Sequence, residues 1–213
     1  MAPLRYTFHR AWRLLRRRRV RQLGQALVRR IYSDTELTRF MLDLTQELKI
    51  LEAQIPFTLR KYEDPDSPSK FRPQEEVFRL PTLWVGVTEG GEICYSQGMA
   101  EAGDVETLRT WYPACRVPES DEVLVEGLYV PPRFRGRGIG TAGLGLVAQE
   151  AARLGYKTVI CHVASDNQPS MRAHLKAGFI PYETLTLHWR GFRSSAMVRK
   201  GPFRHDGLFV DPV

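Results

Sequence analysis

Between Phe8 and Ile31 the apolar residues Phe8, Trp12, Leu15, Leu23, Leu27 and Ile31 recur near one helical face, with Gly24 the only glycine and no proline. That spacing predicts an amphipathic helix. Ser33, three residues before Glu36, reads as a capping box that opens a second helix. Leu37, Met41, Leu44, Leu48 and Leu51 keep the helical spacing to about Gln54, and Pro56 ends it. From Ile55 the period changes. Ile55 to Tyr62 alternates like a strand; Pro65, Pro68 and Pro73 mark a loop, and a short helix is expected at 74–79. Strands at 83–88 and 92–97 flank Gly90-Gly91, a hairpin signal. Residues 99–120, broken by Pro113 and Pro118, fit no regular pattern.

The second half is clearer. Val123 to Val130 reads as a strand that stops at Pro131-Pro132, and a helix is expected from about Ile139 to Leu154, capped by Gly155. Lys157 to Val163 is a buried-strand run, 170–177 a helix closed by Gly178, and 184–189 with 194–199 a hairpin around Gly191. The elements give an α+β body with a strand–loop–helix–strand–helix unit at its centre. The expected organisation is an arginine-rich helical extension over 1–54, a body over 55–200 and a tail over 201–213.

Charge sharpens this division. Of the 31 basic residues, ten are arginines within residues 1–33, which hold no lysine and, before Asp34, no acid. The remainder has 21 basic against 24 acidic residues, a net charge of −3 within a total of +7. A basic amphipathic helix can lie on anionic lipid, bind RNA, dock on an acidic protein surface or pack on its own domain. A mitochondrial transit peptide would be serine-rich, and no serine precedes Ser33. No run approaches the ~20 apolar residues of a membrane-spanning helix. Cys94, Cys115 and Cys161 form neither a C-x-x-C zinc pattern nor a disulfide framework, and His9, His188 and His205 stand at no metal spacing. No metal is expected, and a reducing cytoplasm is the expected compartment, with a peripheral place at the inner membrane surface open to the arm.

The chemistry concentrates after strand 123–130. Gly136, Gly138 and Gly140 lie between that strand and a helix, with Arg133, Arg135 and Arg137 among them. Glycines let backbone N–H groups turn toward a ligand, and a helix N-terminus favours negative charge, so the loop predicts a phosphate cradle. Gly138 to Gly143 satisfies G-x-G-x-x-G, and Asp166 follows the next strand, but too little chain remains for a dinucleotide fold. Cys161 and His162 are adjacent on a strand, point to opposite faces and cannot act on each other; both are expected in the core or on the sheet surface.

Arg135-Gly-Arg-Gly138-Ile-Gly140 matches R/Q-x-x-G-x-G/A, and Asn167-Gln-Pro-Ser170 followed by His174-Leu-Lys-Ala-Gly178-Phe179 matches a second segment at the expected distance. Over about residues 55–200 the chain thus resembles the GNAT-type N-acetyltransferase superfamily. The resemblance implies a mixed, mostly antiparallel central sheet with a splayed strand pair and flanking helices. It also implies acetyl-CoA, or another acyl-CoA, as cosubstrate. Pantetheine would pair with the backbone of Leu128, Tyr129 and Val130. The pyrophosphate would sit on Arg135, Gly136, Arg137, Gly138, Ile139, Gly140 and Thr141, and Asn167 would hold the pantetheine arm or its loop. Acyl transfer to an amine needs a base, an oxyanion donor and an acid for the thiolate. Glu126, two residues before the pantetheine segment, is the candidate base, and a backbone N–H near Leu128 the oxyanion donor. His174 stands where many relatives carry tyrosine and is the candidate acid.

The expected function is therefore acyl-CoA-dependent N-acyltransfer, acetyl to a primary amine by direct attack. Two alternatives remain open. One uses a carrier-linked donor (acyl carrier protein or aminoacyl-tRNA) or a membrane-linked acceptor. The other is a CoA-sensing or nucleic-acid-binding module without catalysis. An oligomer is compatible with either.

Overall fold

A computed structural model describes residues 32–63, 80–112, 115–190 and 193–200. The arm helix expected over 8–31, most of the loop at 63–73, the short helix at 74–79, the turn at Gly191 and the tail at 201–213 lie outside the described residues. Eight strands form one sheet: β1 (Tyr32–Asp43), β2 (Phe57–Lys61), β3 (Thr82–Thr88), β4 (Ile93–Ala100), β5 (Glu122–Tyr129), β6 (Thr158–Ala164), β7 (Ile180–Arg190) and β8 (Arg193–Lys200). Three helices accompany them: α1 (Val105–Trp111), α2 (Ile139–Arg153) and α3 (Gln168–Lys176). The strand order is β2-β3-β4-β5-β6-β1-β7-β8. Only β5 and β6 run parallel; every other neighbouring pair is antiparallel. This is the mixed, mostly antiparallel α+β architecture expected from the sequence.

The second helix expected at 33–54 is not there. Residues 32–43 form β1, which lies in the middle of the sheet between β6 and β7, so this part of the expected helical extension belongs to the body. The reason is two-sided burial. Thr38 and Phe40 are buried on one face, while Arg39 and Met41 lie on the other, and a strand covered on both faces shows no clean polar alternation. Leu37 and Met41 then mimic a helical repeat. Ser33 makes no cap: its carbonyl accepts from Arg190 (3.2 Å), and Asp34 pairs with His188 (2.7 Å). Residues 47–54 have no regular structure and cross the start of α2 as a strap, where Gln54 N–H donates to the Arg137 carbonyl (2.9 Å). The leucine spacing there still reports burial, since Leu48 packs against the main core.

Two apolar layers enclose the sheet. On one face α2 and α3 bury Phe40, Tyr95, Val125, Cys161 and Val163. On the other, Leu108 of α1 packs with Leu124 and Ile160, and Tyr112, Cys115 and Val117 lie against them. The unpatterned stretch 99–120 thus supplies a short helix and a covering segment. No helix among the described residues is long and apolar enough to cross a membrane.

Candidate active site

The site begins where the parallel pair comes apart. β5 and β6 pair over three residues, Glu122 to Leu124 with Thr158 to Ile160, and then diverge although both strands continue. A β-bulge lies just beyond. Ser96 opposes Tyr129 but Gly98 opposes Glu126, so β5 carries one residue more than β4 there. Gly127 takes the extra turn at φ 69°, a left-handed conformation that side chains disfavour. The bulge swings β5 off its neighbour and opens a cavity of about 270 Å³, lined among others by Gln97, Tyr112, Glu126, Leu128, Asn167 and His174.

β5 leads out of this splay into the glycine loop. A 3-10 turn at Pro132–Phe134 pins the loop by burying Phe134. Gly138 then caps α2 at φ 77°. Ala142 N–H is the first to enter the helix ladder, bonding the Gly138 carbonyl (3.0 Å). Among the described residues, the four helix-start amides from Gly138 to Thr141 have no hydrogen-bond acceptor. Four consecutive donors at a helix start form an anion-binding nest, and it fits a pyrophosphate. Arg135 folds back, donating from Nε to the Val130 carbonyl (3.0 Å). Arg133 points elsewhere, to Glu92 (2.9 Å).

At the root of the splay, Glu126 is held by β6. His162 N–H, left without a β5 carbonyl where the strands part, donates to Glu126 Oε1 (2.9 Å). His162 Nδ1–H donates to the same oxygen (2.8 Å), and the Cys115 thiol reaches it at 3.7 Å. Burial, reinforced by the Glu126 charge, pushes the Cys115 thiol well above its ordinary pKa, so it stays a protonated donor. One potential ligand atom from each of these three residues lies within 4.8 Å of the other two. The Oε1–Nδ1 pair at 2.8 Å stands closer than the about 3.3 Å between two ligands of one tetrahedral ion. The cluster is hydrogen-bonded as it stands.

Across the cavity, α3 presents His174 and Asn167. Asn167 caps the helix, its Oδ1 accepting the Ser170 N–H (3.3 Å). His174 Nδ1–H donates to the Ser170 carbonyl (2.8 Å), and its ring lies between Phe40 and Phe179, with centroids 5.6 and 5.3 Å away. Burial pushes its pKa below 6.5, so near neutrality Nε2 carries a lone pair and must take up a proton before it can give one.

A splayed parallel pair, a carboxylate at its root and an amide nest at the following helix are joined by a sequence match. Residues 48–179 match the acetyltransferase (GNAT) family. The chain belongs to that family. The cosubstrate of GNAT proteins is acetyl-CoA. Among solved structures, the chain resembles a GCN5-related N-acetyltransferase from Sphaerobacter thermophilus, with TM-score 0.54 and 16% identity over 91% of this chain and 57% of that one. It also resembles a tandem GNAT protein of the clavulanic acid biosynthesis pathway, with TM-score 0.50 and 15% identity over 85% of this chain and 58% of that one. A third is the glucosamine N-acetyltransferase region of a fungal multi-domain β-N-acetylglucosaminidase, with TM-score 0.52 and 13% identity over 78% of this chain and 22% of that one. At such identities the likeness is one of fold, and the chain spans less than two thirds of each of these proteins. No curated protein matches it.

Within this GNAT fold, the cavity brings together Glu126, Leu128, Asn167 and His174 of the residues expected from the sequence. Arg135, Gly136, Arg137, Gly138, Ile139, Gly140 and Thr141 lie on the nest beyond it, and Tyr129 and Val130 on the backbone between. Sequence reasoning missed His162 and Cys115. Strand alternation correctly separates His162 from Cys161, but His162 belongs to the site rather than to the core, because its partner Glu126 is 36 residues away. Gln97, which accepts a hydrogen bond from the buried Tyr95 hydroxyl, is a further lining residue that carried no signal.

Proposed function

We propose that the protein is an acyl-CoA-dependent N-acyltransferase that moves acetyl from acetyl-CoA to a primary amine by direct attack. The observation that carries this is the splay, which leaves Glu126 at the root of a cavity lined by the β5 strand that leads on to the four-amide nest. The amides of Gly136 to Thr141, with Arg135 and Arg137, hold the pyrophosphate. The backbone of Leu128 to Val130 pairs with the pantetheine arm, and Asn167 steadies it. Glu126 takes the proton from the attacking amine, directly or through a water, and a backbone N–H at the Gly127 bulge, near Leu128, donates to the oxyanion. His174 gives a proton to the departing thiolate by way of one acquired on Nε2. The arginine arm engages an anionic partner, with a membrane surface ahead of RNA, and its vesicle binding falls steeply with salt.

CoA at a hundredfold excess over its dissociation constant should stabilise the fold by about 2.7 kcal/mol. An amine panel with acetyl-CoA should release free thiol. A melt unmoved by millimolar CoA would overturn the cosubstrate, while a CoA-dependent shift with no thiol release from any amine would make the protein a CoA-sensing module.

A further inference from the structure

The carboxylate of Glu126 is not merely present in the cavity; it is clamped through one of its two oxygens. Oε1 receives His162 N–H at 2.9 Å, His162 Nδ1–H at 2.8 Å and the Cys115 thiol at 3.7 Å. All three donors come from β6 and the covering segment after α1, elements far from the glycine loop in sequence. The His162 side chain is 3% exposed, and its Nε2 is buried with no partner among the described residues. A buried ring with a single hydrogen-bonded nitrogen has its tautomer and its rotation decided by that one bond. The backbone N–H beside it removes the remaining freedom, because a carboxylate held by two donors of one residue cannot swing toward the gap between the strands. Behind His162, its cross-strand partner Arg39 is locked at 2.7 Å to Glu183 on β7.

We propose that His162 and, more weakly, Cys115 are positioning residues for Glu126: they occupy Oε1 so that Oε2 alone serves the reacting amine. Neither touches the amine in this arrangement. Their contribution is orientational, and it rests on the reading of Glu126 as the base. A carboxylate free to rotate would spend part of its time bonded elsewhere in the splay, and the loss would fall on turnover rather than on acetyl-CoA binding.

The test compares His162→Leu, His162→Asn, Cys115→Ala and Cys115→Ser with Glu126→Gln in the full chain. Acetyl-CoA and the best amine of the panel are the substrates. His162→Leu is expected to lower kcat about tenfold or more, with the KM for acetyl-CoA and the CoA-induced melting shift unchanged. His162→Asn, whose side-chain N–H can stand in for Nδ1–H, should recover most of that loss. Cys115→Ala should lower kcat by only about twofold to threefold, because a thiol is a weak donor, and Cys115→Ser should restore it. The proposal is overturned if Glu126→Gln is slow while His162→Leu and Cys115→Ala turn over like the wild type. It is equally overturned if His162→Asn is as slow as His162→Leu in folded protein. Wild-type turnover by Glu126→Gln would instead remove the base itself, a different failure with its own signature. Should His162→Leu not fold, the His162→Asn and Cys115→Ala pair decides the matter by the same kcat-against-KM split.

Discussion

On the nest side of the splay, everything from Leu128 to Thr141 is one unbroken stretch of chain, held by a bulge, a proline turn and a helix start. The acid–base side is assembled instead: Glu126 comes from β5, His162 from β6, Cys115 from the segment after α1 and His174 from α3. A contiguous site is set mostly by local geometry, here with one distant tie from Gln54 N–H to the Arg137 carbonyl, and local substitutions should weaken it in proportion. An assembled site depends on sheet register, so it inherits the stability of strands that contribute no chemistry. β1 is such a strand, because it sets the position of β6 on one side and β7 on the other.

The largest expected effect tests that dependence. Phe40 is fully buried on β1 beneath the His174 ring. Phe40→Ala should cost about 3–5 kcal/mol in denaturant unfolding, as core aromatic truncations do. A loss below about 1 kcal/mol would mean that β1 does not hold the assembled side together. Next, Glu126→Gln should lower kcat/KM by ~10²-fold or more while leaving the CoA-induced melting shift intact. A variant that lost both would erase the distinction between the two sides. In the other direction, Arg137→Ala should weaken CoA binding by about tenfold, with kcat at saturation unchanged. This is a cleaner probe than replacing Gly138. That glycine sits at φ 77°, a left-handed conformation, so any side chain there strains the loop itself.

The smallest effect is a pH dependence. His174 has its pKa lowered from 6.5 by burial. As pH falls through 6.5 the unfolded chain takes up this proton before the folded one does, so folding stability declines on the acid side. The slope from one such group is at most about 1.4 kcal/mol per pH unit. His174→Gln should flatten the pH slope of stability below pH 6.5 and leave the slope above it unchanged. An identical slope in both proteins would place the neutral ring in doubt.

The contrast also explains what could be read from the sequence. The glycine loop, the helix after it and the Gly90-Gly91 hairpin are set by neighbours within a few residues, and each formed where the pattern put it. Glu126 could be named because it precedes that loop on the same strand. β1 could not, since burial on both faces gave its apolar residues a helical spacing and its partners lie far along the chain; Thr38 meets Ser165 across 127 residues. Cys115 lay in a stretch without periodicity, between Pro113 and Pro118. The bulge at Gly127 left no mark beyond one glycine in an otherwise regular strand.

The place of β1 also has a consequence in time. Arg39 and its partner Glu183 are 144 residues apart in sequence. At ~5–20 residues per second, a ribosome needs about 7 to 30 s to make the second after the first. Throughout that interval the β7 edge of this central strand, directly behind an arm of ten arginines, has no partner, and until β6 is made neither edge has one. Like charges repel, so ten arginines at the head of each nascent chain oppose the approach of its copies while that edge stays open.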